Sequence, residues 1–254
     1  LAATQAIIVG NLIPDAATGP TGPAVILIED GRIKDIAKGT KNPFQADMVV
    51  DLSTKTLVPG LIDLHVHLTG DPGDDFRDEA VNPDAWGVVM GVKNAALTVK
   101  AGFTTVREAG SAQNTAFVLR RGTAEGRIIG PRIIAAGPAL SIVGGHGDVT
   151  GFRTDVLTAL ASGYTCTGPV ECAEKVRKSS KSGADVIKIT ATGGVLSQQG
   201  RGLEAHFTNE EMVSIANTAH SLGLKVMAHA HGARGIEAAA AAGIDSIEHG
   251  TFAD

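Results

Sequence analysis

The chain has 254 residues, room for one large domain or for one domain and a small partner at about 150 residues per domain. With 43% hydrophobic and 19% charged residues it has a core-forming composition, which excludes a disordered tail. A net charge of −5 without any long basic block argues against a nucleic-acid or anionic-membrane surface, and no apolar run approaches the roughly 18–20 residues of a membrane span.

The sequence opens on Leu1 rather than Met, with no charged stretch followed by an apolar one, so the chain is expected to be processed or trimmed and any signal peptide already removed. Up to about Thr56 it reads as short β-branched strands: QAIIVG (5–10), AVILIED (24–30), GRIKDIA (31–37) and MVVDL (48–52). Asp30-Gly31 is a hairpin-turn signal, because glycine tolerates the positive φ such a turn needs. The expectation is a small β-domain over 1–56, part of a composite β-sandwich.

From Leu57 the pattern changes. AGFTTVRE (101–108), SGADVIKI (182–189), LGLKVMAHA (222–230) and AGIDSIEHG (242–250) share one plan. A helical stretch ends on Gly102, Gly183, Gly223 or Gly243, the residue suited to a left-handed helix end. About four strand residues follow, and an ionisable side chain closes each: Arg107 and Glu108, Lys188, His229, His249. LVPGLIDLHVH (57–67) and PRIIAAG (131–137) complete six strands. Asn82-Pro83-Asp84, Gly168-Pro169, the Thr208–Glu211 capping box and ARGIEAAAAAG (233–243) mark helices between them. Parallel strands joined by helices fit an open sheet or a barrel; polar groups on nearly every strand tip favour the barrel. The expected fold is an α/β, TIM-like (β/α)8 barrel over 57–254, incomplete at about six units because a closed barrel needs eight.

The strand tips carry the chemistry. His65 and His67 stand two apart at the end of an apolar strand, where side chains share a face and both imidazoles can reach one cation. The bland alternative is a pair of ordinary polar strand positions. His229 and His231 repeat that spacing, and His249 lies one unit further. Lys188 interrupts the apolar run VIKIT. Read alone it is a snorkelling lysine or half of a buried ion pair; beside metals, a neutral lysine can add carbon dioxide and become a two-oxygen carbamate ligand. Cys166 and Cys172 in CTGPVEC form either a small-loop disulfide or two reduced thiols, and with the missing Met they point towards a periplasmic or secreted setting. His206, in the loop before the capping box, and His220, near a helix end, read as surface or structural residues. Trp86, Val88, Val89 and Val92 read as helix packing, and Arg107 and Glu108 as supporting groups or a strand-tip ion pair.

The order HxH, Lys, His, His resembles the amidohydrolase superfamily, in particular its binuclear-zinc, carboxylated-lysine members of the Xaa-Pro dipeptidase, zinc carboxypeptidase and ochratoxinase-like group. LVPGLIDLHVHL, AGFTTVREAG, GPRIIAAGPALSIVGGHGD, ADVIKITATGGVLS, KVMAHAHG and GIDSIEHGTF carry the likeness across essentially the whole chain. The resemblance implies two Zn2+, one held by His65 and His67 and the other by His229 and His249, bridged by carboxylated Lys188. It implies that His146 hydrogen-bonds the scissile carbonyl or oxyanion and that His231 holds the substrate's carboxylate. It also implies hydrolysis of an amide or peptide bond beside a free carboxylate, by a hydroxide between the metals, in a homo-oligomer. Proline-selective members carry Tyr at the position of His231, which weakens a strict prolidase reading. The strand-eight aspartate of the family has no counterpart here, so the isolated chain is expected to be inactive. The rivals are a mononuclear deaminase, against which Lys188 argues, an imidazolonepropionase-like cyclic amide hydrolase, and a non-enzymatic assembly module.

Overall fold

The structure is a computed structural model, and residues 4–73, 80–195 and 202–254 are described. The chain resolves into two compact units, Leu1–Gly60 and Leu61–Asp254.

The first unit is one four-stranded sheet in the order β3-β2-β1-β4. Its strands are β1 (Thr4–Leu12), β2 (Ala24–Glu29), β3 (Arg32–Lys38) and β4 (Met48–Leu57). The β2–β3 turn is the expected one: Asp30 and Gly31 both take positive φ, 51° and 71°. β4 returns to pair parallel with β1. Val9, Leu12, Ala24 and Ile26 are buried together on one side, while Ile33, Ile36, Met48 and Val49 remain exposed.

The second unit alternates strands and helices. The parallel strands are β5 (Leu61–Val66), β6 (Phe103–Glu108), β7 (Arg132–Ala135), β10 (Val186–Thr190), β11 (Lys225–Ala230) and β12 (Ser246–His249). Two ladders, β5-β6-β7 and β10-β11-β12, are joined where the Asp185 N–H donates to Ala135 O at 2.9 Å and Leu140 bridges Ile189. All six strands fall where the helix–Gly–strand rhythm puts them. The helices are α1 (Asp84–Lys100), α2 (Thr115–Ala124), α3 (Thr154–Leu160), α4 (Pro169–Ser182), α5 (Asn209–Ser221) and α6 (Ala233–Ala241). Gly102, Gly183, Gly223 and Gly243 all have φ between 74° and 102°, the left-handed conformation that stops a helix before the next strand.

The core lies between strands and helices. β10 is buried along its whole length, as a central parallel strand covered on both faces must be, and Leu119, Val176, Met212 and Ile215 pack from the helices. At α5, Thr208 Oγ1 accepts from the Glu211 N–H while Glu211 accepts from the Thr208 N–H, completing the expected capping box. Pro83 sits one place earlier than expected: at ψ 153° it is the extended cap of α1 rather than its first helical residue. The sequence reading had not separated a further parallel pair, β8 (Ser141–Ile142) and β9 (Thr165–Cys166); at two residues each they carry no periodic signal. Cys166 and Cys172 are joined as a disulfide. Among the described residues no helix is long and apolar enough to cross a membrane.

Candidate metal centre

Six parallel strands, all ending on the same side, bring their C-terminal tips together. β5 delivers His65 and, one residue past its end, His67; β11 delivers His229 and, just beyond, His231. β12 ends on His249, whose φ of 71° breaks the strand's alternation. Neighbouring strand residues normally face opposite ways, but this kink lets Glu248 and His249 both meet His65. A left-handed non-glycine residue costs about 1–2 kcal/mol, strain of the kind that gathers at functional sites.

The imidazoles form a continuous cluster. The His249 ring centroid lies 4.8 Å from that of His65, 4.6 Å from His229 and 4.7 Å from His231. His65 and His67 are 5.2 Å apart, and His146, from the loop after β8, stacks on His229 at 4.2 Å and 23°. The ligand-type nitrogens of His229, His231 and His249 all lie within 4.8 Å of one another. Lys188, 4% exposed, sits among them on β10 and its charge bears on His67, His146, His229 and His249. The structure therefore brings together every residue singled out from the sequence: His65, His67, His146, Lys188, His229, His231 and His249.

The electrostatics suit a set of neutral donors. Burial, then the charges of His146, His249 and Lys188, hold His229 down at about 2. Burial and neighbouring imidazoles bring His146 to about 4, and the same causes bring His249 to about 4. These rings are neutral at pH 7, with a lone pair on one nitrogen. Burial lowers Lys188 to about 8, partly resisted by Glu248 and Glu108.

Hydrogen bonds decide which nitrogen faces inward. His67 Nδ1 lies 2.8 Å from the Gly110 carbonyl, so it donates there and leaves Nε2. His231 Nδ1 lies 2.8 Å from Thr251 Oγ1, and the His231 N–H donates to Thr192 Oγ1 at 3.0 Å. Gly194 has a packing reason: a Cβ there would stand 2.5 Å from His146 Cε1. Leu196 and Ser197 of the ATGGVLS motif lie outside the described residues.

Three acidic or histidine residues join the site beyond those singled out. Glu108 is fully buried, accepts from the Leu68 N–H at 2.6 Å and holds Oε1 3.9 Å from His67 Nδ1; burial raises it to about 8. Glu248 and Arg107 form an ion pair at 2.7 Å. His206, expected in a surface or structural role, lies beside the site, where the His146 N–H donates to its Nδ1 at 3.4 Å. Trp86 is likewise corrected. It is 48% exposed and, with Met90, Pro138, Val149 and Leu160, lines a cavity of about 440 Å3 that opens beside His67.

Parallel strands alternating with helices, with imidazole and amine donors at the strand tips, define a TIM-barrel-like α/β protein. Known proteins agree. The family model described as "Amidohydrolase family" matches residues 56–254, and the chain belongs to that family. Ochratoxinase of Aspergillus niger is 34% identical over 219 residues, covering 78% of this chain and 44% of the relative. A dihydroorotase of Geobacter metallireducens is 36% identical over 100 residues, covering 39% of this chain and 20% of that one. Among solved structures, a Xaa-Pro dipeptidase with methionine bound in its active site superposes with a TM-score of 0.90 at 36% identity, covering 99% of this chain and 63% of the other. The A. niger ochratoxinase structure superposes at 0.85 with 27% identity, covering 100% and 62%. The chain thus spans under half the length of the ochratoxinase it matches and under two thirds of the dipeptidase.

Proposed function

We propose that the full-length protein is a zinc-dependent amidohydrolase that cleaves an amide or peptide bond beside a free carboxylate, in the manner of a dipeptidase or carboxypeptidase. The observation that carries this is the gathering of six imidazoles and one buried amine, from four strand ends and the loop after β8, into one cluster. Neutral imidazoles are borderline-soft nitrogen donors of the kind zinc takes, so the residues present fit the metal.

In this reading His65 and His67 would hold one cation and His229 and His249 the second, and Lys188, as a carbamate, would supply an anionic ligand to them. The lowered Lys188 value leaves about a tenth of the amine neutral at pH 7, against about 3 in 10,000 at 10.5. Its lone pair forms the N–C bond to carbon dioxide as one C–O π bond opens, and the proton leaves to solvent. Bound cations would supply Lewis acidity towards the amide carbonyl and bring the pKa of bound water to about 7. His146, neutral at working pH, donates a hydrogen bond to the carbonyl oxygen as negative charge develops there. His231, its Nδ1 engaged by Thr251, offers Nε2 to the substrate's carboxylate. The cavity beside His67 suits an apolar portion of a small substrate, and the relative holding methionine supports a substrate built from an amino acid.

The same proposal takes the barrel as incomplete, with about six of eight units in this chain. Leu61, Ile62 and Leu64 leave the edge strand β5 apolar and exposed, Ile62 by 62%, which supports further strands and helices of an eight-stranded barrel covering it. Exposed Ile33, Ile36, Met48 and Val49 likewise support the 1–56 sheet as one part of a larger sandwich, with the barrel domain over 57–254. Homo-oligomerisation remains part of the proposal through the family likeness alone.

The test is metal analysis and kinetics of the full-length protein with N-acyl amino acids and dipeptides. Two divalent cations per chain are expected, and Lys188→Ala should lose hydrolysis by more than about a hundredfold. Fewer than two metals in the wild type, or unaltered activity in Lys188→Ala, would remove the reading. Turnover of cyclic amides alone would instead favour the ring-hydrolase alternative.

A further inference from the structure

Glu248 makes three side-chain hydrogen bonds at the site. It is 6% exposed and lies next to His249. Its Oε2 is 2.9 Å from His65 Nδ1, and its Oε1 accepts from Arg107 Nη2 at 2.7 Å and from Ser246 Oγ at 2.8 Å. Arg107 is held in turn: its Nε donates to the Leu64 carbonyl at 2.8 Å and its Nη1 to Ser246 Oγ at 3.2 Å. One guanidinium therefore grips the backbone just before His65 and the carboxylate that grips the His65 ring. The partners come from β5, β6 and β12, so the clamp runs across the interior from one end of the strand array to the other.

A carboxylate only accepts, so the hydrogen on the His65 ring must sit on Nδ1 and the lone pair on Nε2. An imidazole at a strand tip without such a partner rotates and exchanges tautomers. We propose that Glu248, held by Arg107, is a positioning residue that locks His65 in the Nδ1–H tautomer and orientation that present Nε2 to a cation. The proposal rests on the reading of His65 as a metal ligand. It goes further by giving the glutamate of IEH and the arginine of TVRE a joint task, the carboxylate–histidine–metal relation that tunes ligand basicity elsewhere.

The first experiment needs no variant. In the metal-free full-length protein, 15N ring shifts of His65, assigned by their loss in His65→Gln, should report the Nδ1–H tautomer; the Nε2–H tautomer, or a rapidly exchanging mixture, overturns the proposal. The second compares zinc affinities by competition with a chromophoric chelator. Glu248→Gln keeps the shape and an acceptor but can turn its amide towards His65, and it should weaken one zinc about 10–100-fold. Arg107→Lys, which keeps charge but loses the two-pronged grip, should give a smaller loss of the same zinc. Unchanged zinc affinity in Glu248→Gln, with His65→Gln losing that zinc, overturns the positioning role and leaves the metal reading intact. Unchanged zinc binding in His65→Gln overturns both. Thermal unfolding of each variant separates a local loss from a collapsed fold, and the tautomer measurement decides even if Glu248→Gln does not fold.

Discussion

Lys188 stands between four apolar or β-branched neighbours in β10, and the strand is buried from end to end. A charge in such a place is conspicuous in a sequence because the rest of the strand is not, and the same holds for His65 and His67 closing an apolar run. Those residues were legible for that reason. Arg107 and Glu108 were visible as polar tips but not assignable, since their meaning lies in which strand each reaches across to, and Glu248 was not singled out at all. His206 was illegible: its contact with His146 joins two loops sixty positions apart, and no spacing encodes that. His146 itself was found only through a motif. Its position, stacked on His229 and neutral with a pKa near 4, predicts a specific kinetic signature. His146→Asn should lower kcat about 100–1,000-fold, the usual loss for one oxyanion donor, while leaving KM within a few-fold. Steady-state kinetics on an N-acyl amino acid decides it, and an equal rise in KM with unchanged kcat would assign His146 to ground-state binding instead. His231→Ala should do the reverse, raising KM while two zincs remain bound; loss of a zinc would make His231 a ligand, as its closeness to His229 and His249 also allows.

Among the elements, helix ends and strand starts follow from local chemistry, and the sequence displays them as such. Glycine at four helix ends and the Thr208–Glu211 box needed only neighbours in the chain. Glu211 also accepts from the Gly168 N–H at 2.6 Å, so one side chain caps α5 and tethers the start of α4, a tertiary use that the box motif does not announce. Asp245, just before β12, is a second such joint. It accepts from Lys225 Nζ at 2.6 Å, from His220 Nε2 at 2.8 Å and from the Val226 N–H at 2.9 Å, tying α5, β11 and β12. Burial alone would raise its pKa, but bonds from Lys225, His220 and Val226 outweigh burial and bring it to about 2 from 3.8. Because the folded value is depressed, the unfolded chain binds the proton more readily. The stabilisation is therefore complete above the unfolded value near 4 and is lost as pH falls through about 2. Asp245 is exposed and screened by solvent, so the shift corresponds to no more than about 1 kcal/mol. Asp245→Asn should destabilise the protein by up to about 1 kcal/mol at pH 7, with the difference from wild type narrowing between pH 4 and pH 2. Urea unfolding across that range measures it, and a difference independent of pH would assign the loss to geometry rather than charge.

At the scale of the whole molecule, the rhythm of helix, glycine, strand and polar tip was enough to place six parallel strands, because each unit repeats the same local solution. What the rhythm could not convey is how the two ladders curve so that β5 faces β12 across the interior. That closeness is written only in contacts such as His65 with Glu248 and His249. In the proposed reading, the pair of cations shared among β5, β10, β11 and β12 would cross-link two ladders joined in the described backbone by few bonds. Such a cation binds the folded chain and has no assembled site in the unfolded one, so its affinity adds to stability as RT ln(1 + [L]/Kd). At a thousandfold excess over Kd the contribution is about 4 kcal/mol per site. Chelation of the full-length protein should lower the melting temperature by roughly 8–16 °C for each site emptied, at 2–4 °C per kcal/mol for a domain of this size. Zinc added back should restore it. The same chelator should leave His65→Ala and His229→Ala variants less affected, because each has already lost part of the cross-link. A wild-type melting temperature indifferent to chelator, with metal removal verified by elemental analysis, would mean that the strand tips converge without any ion holding them.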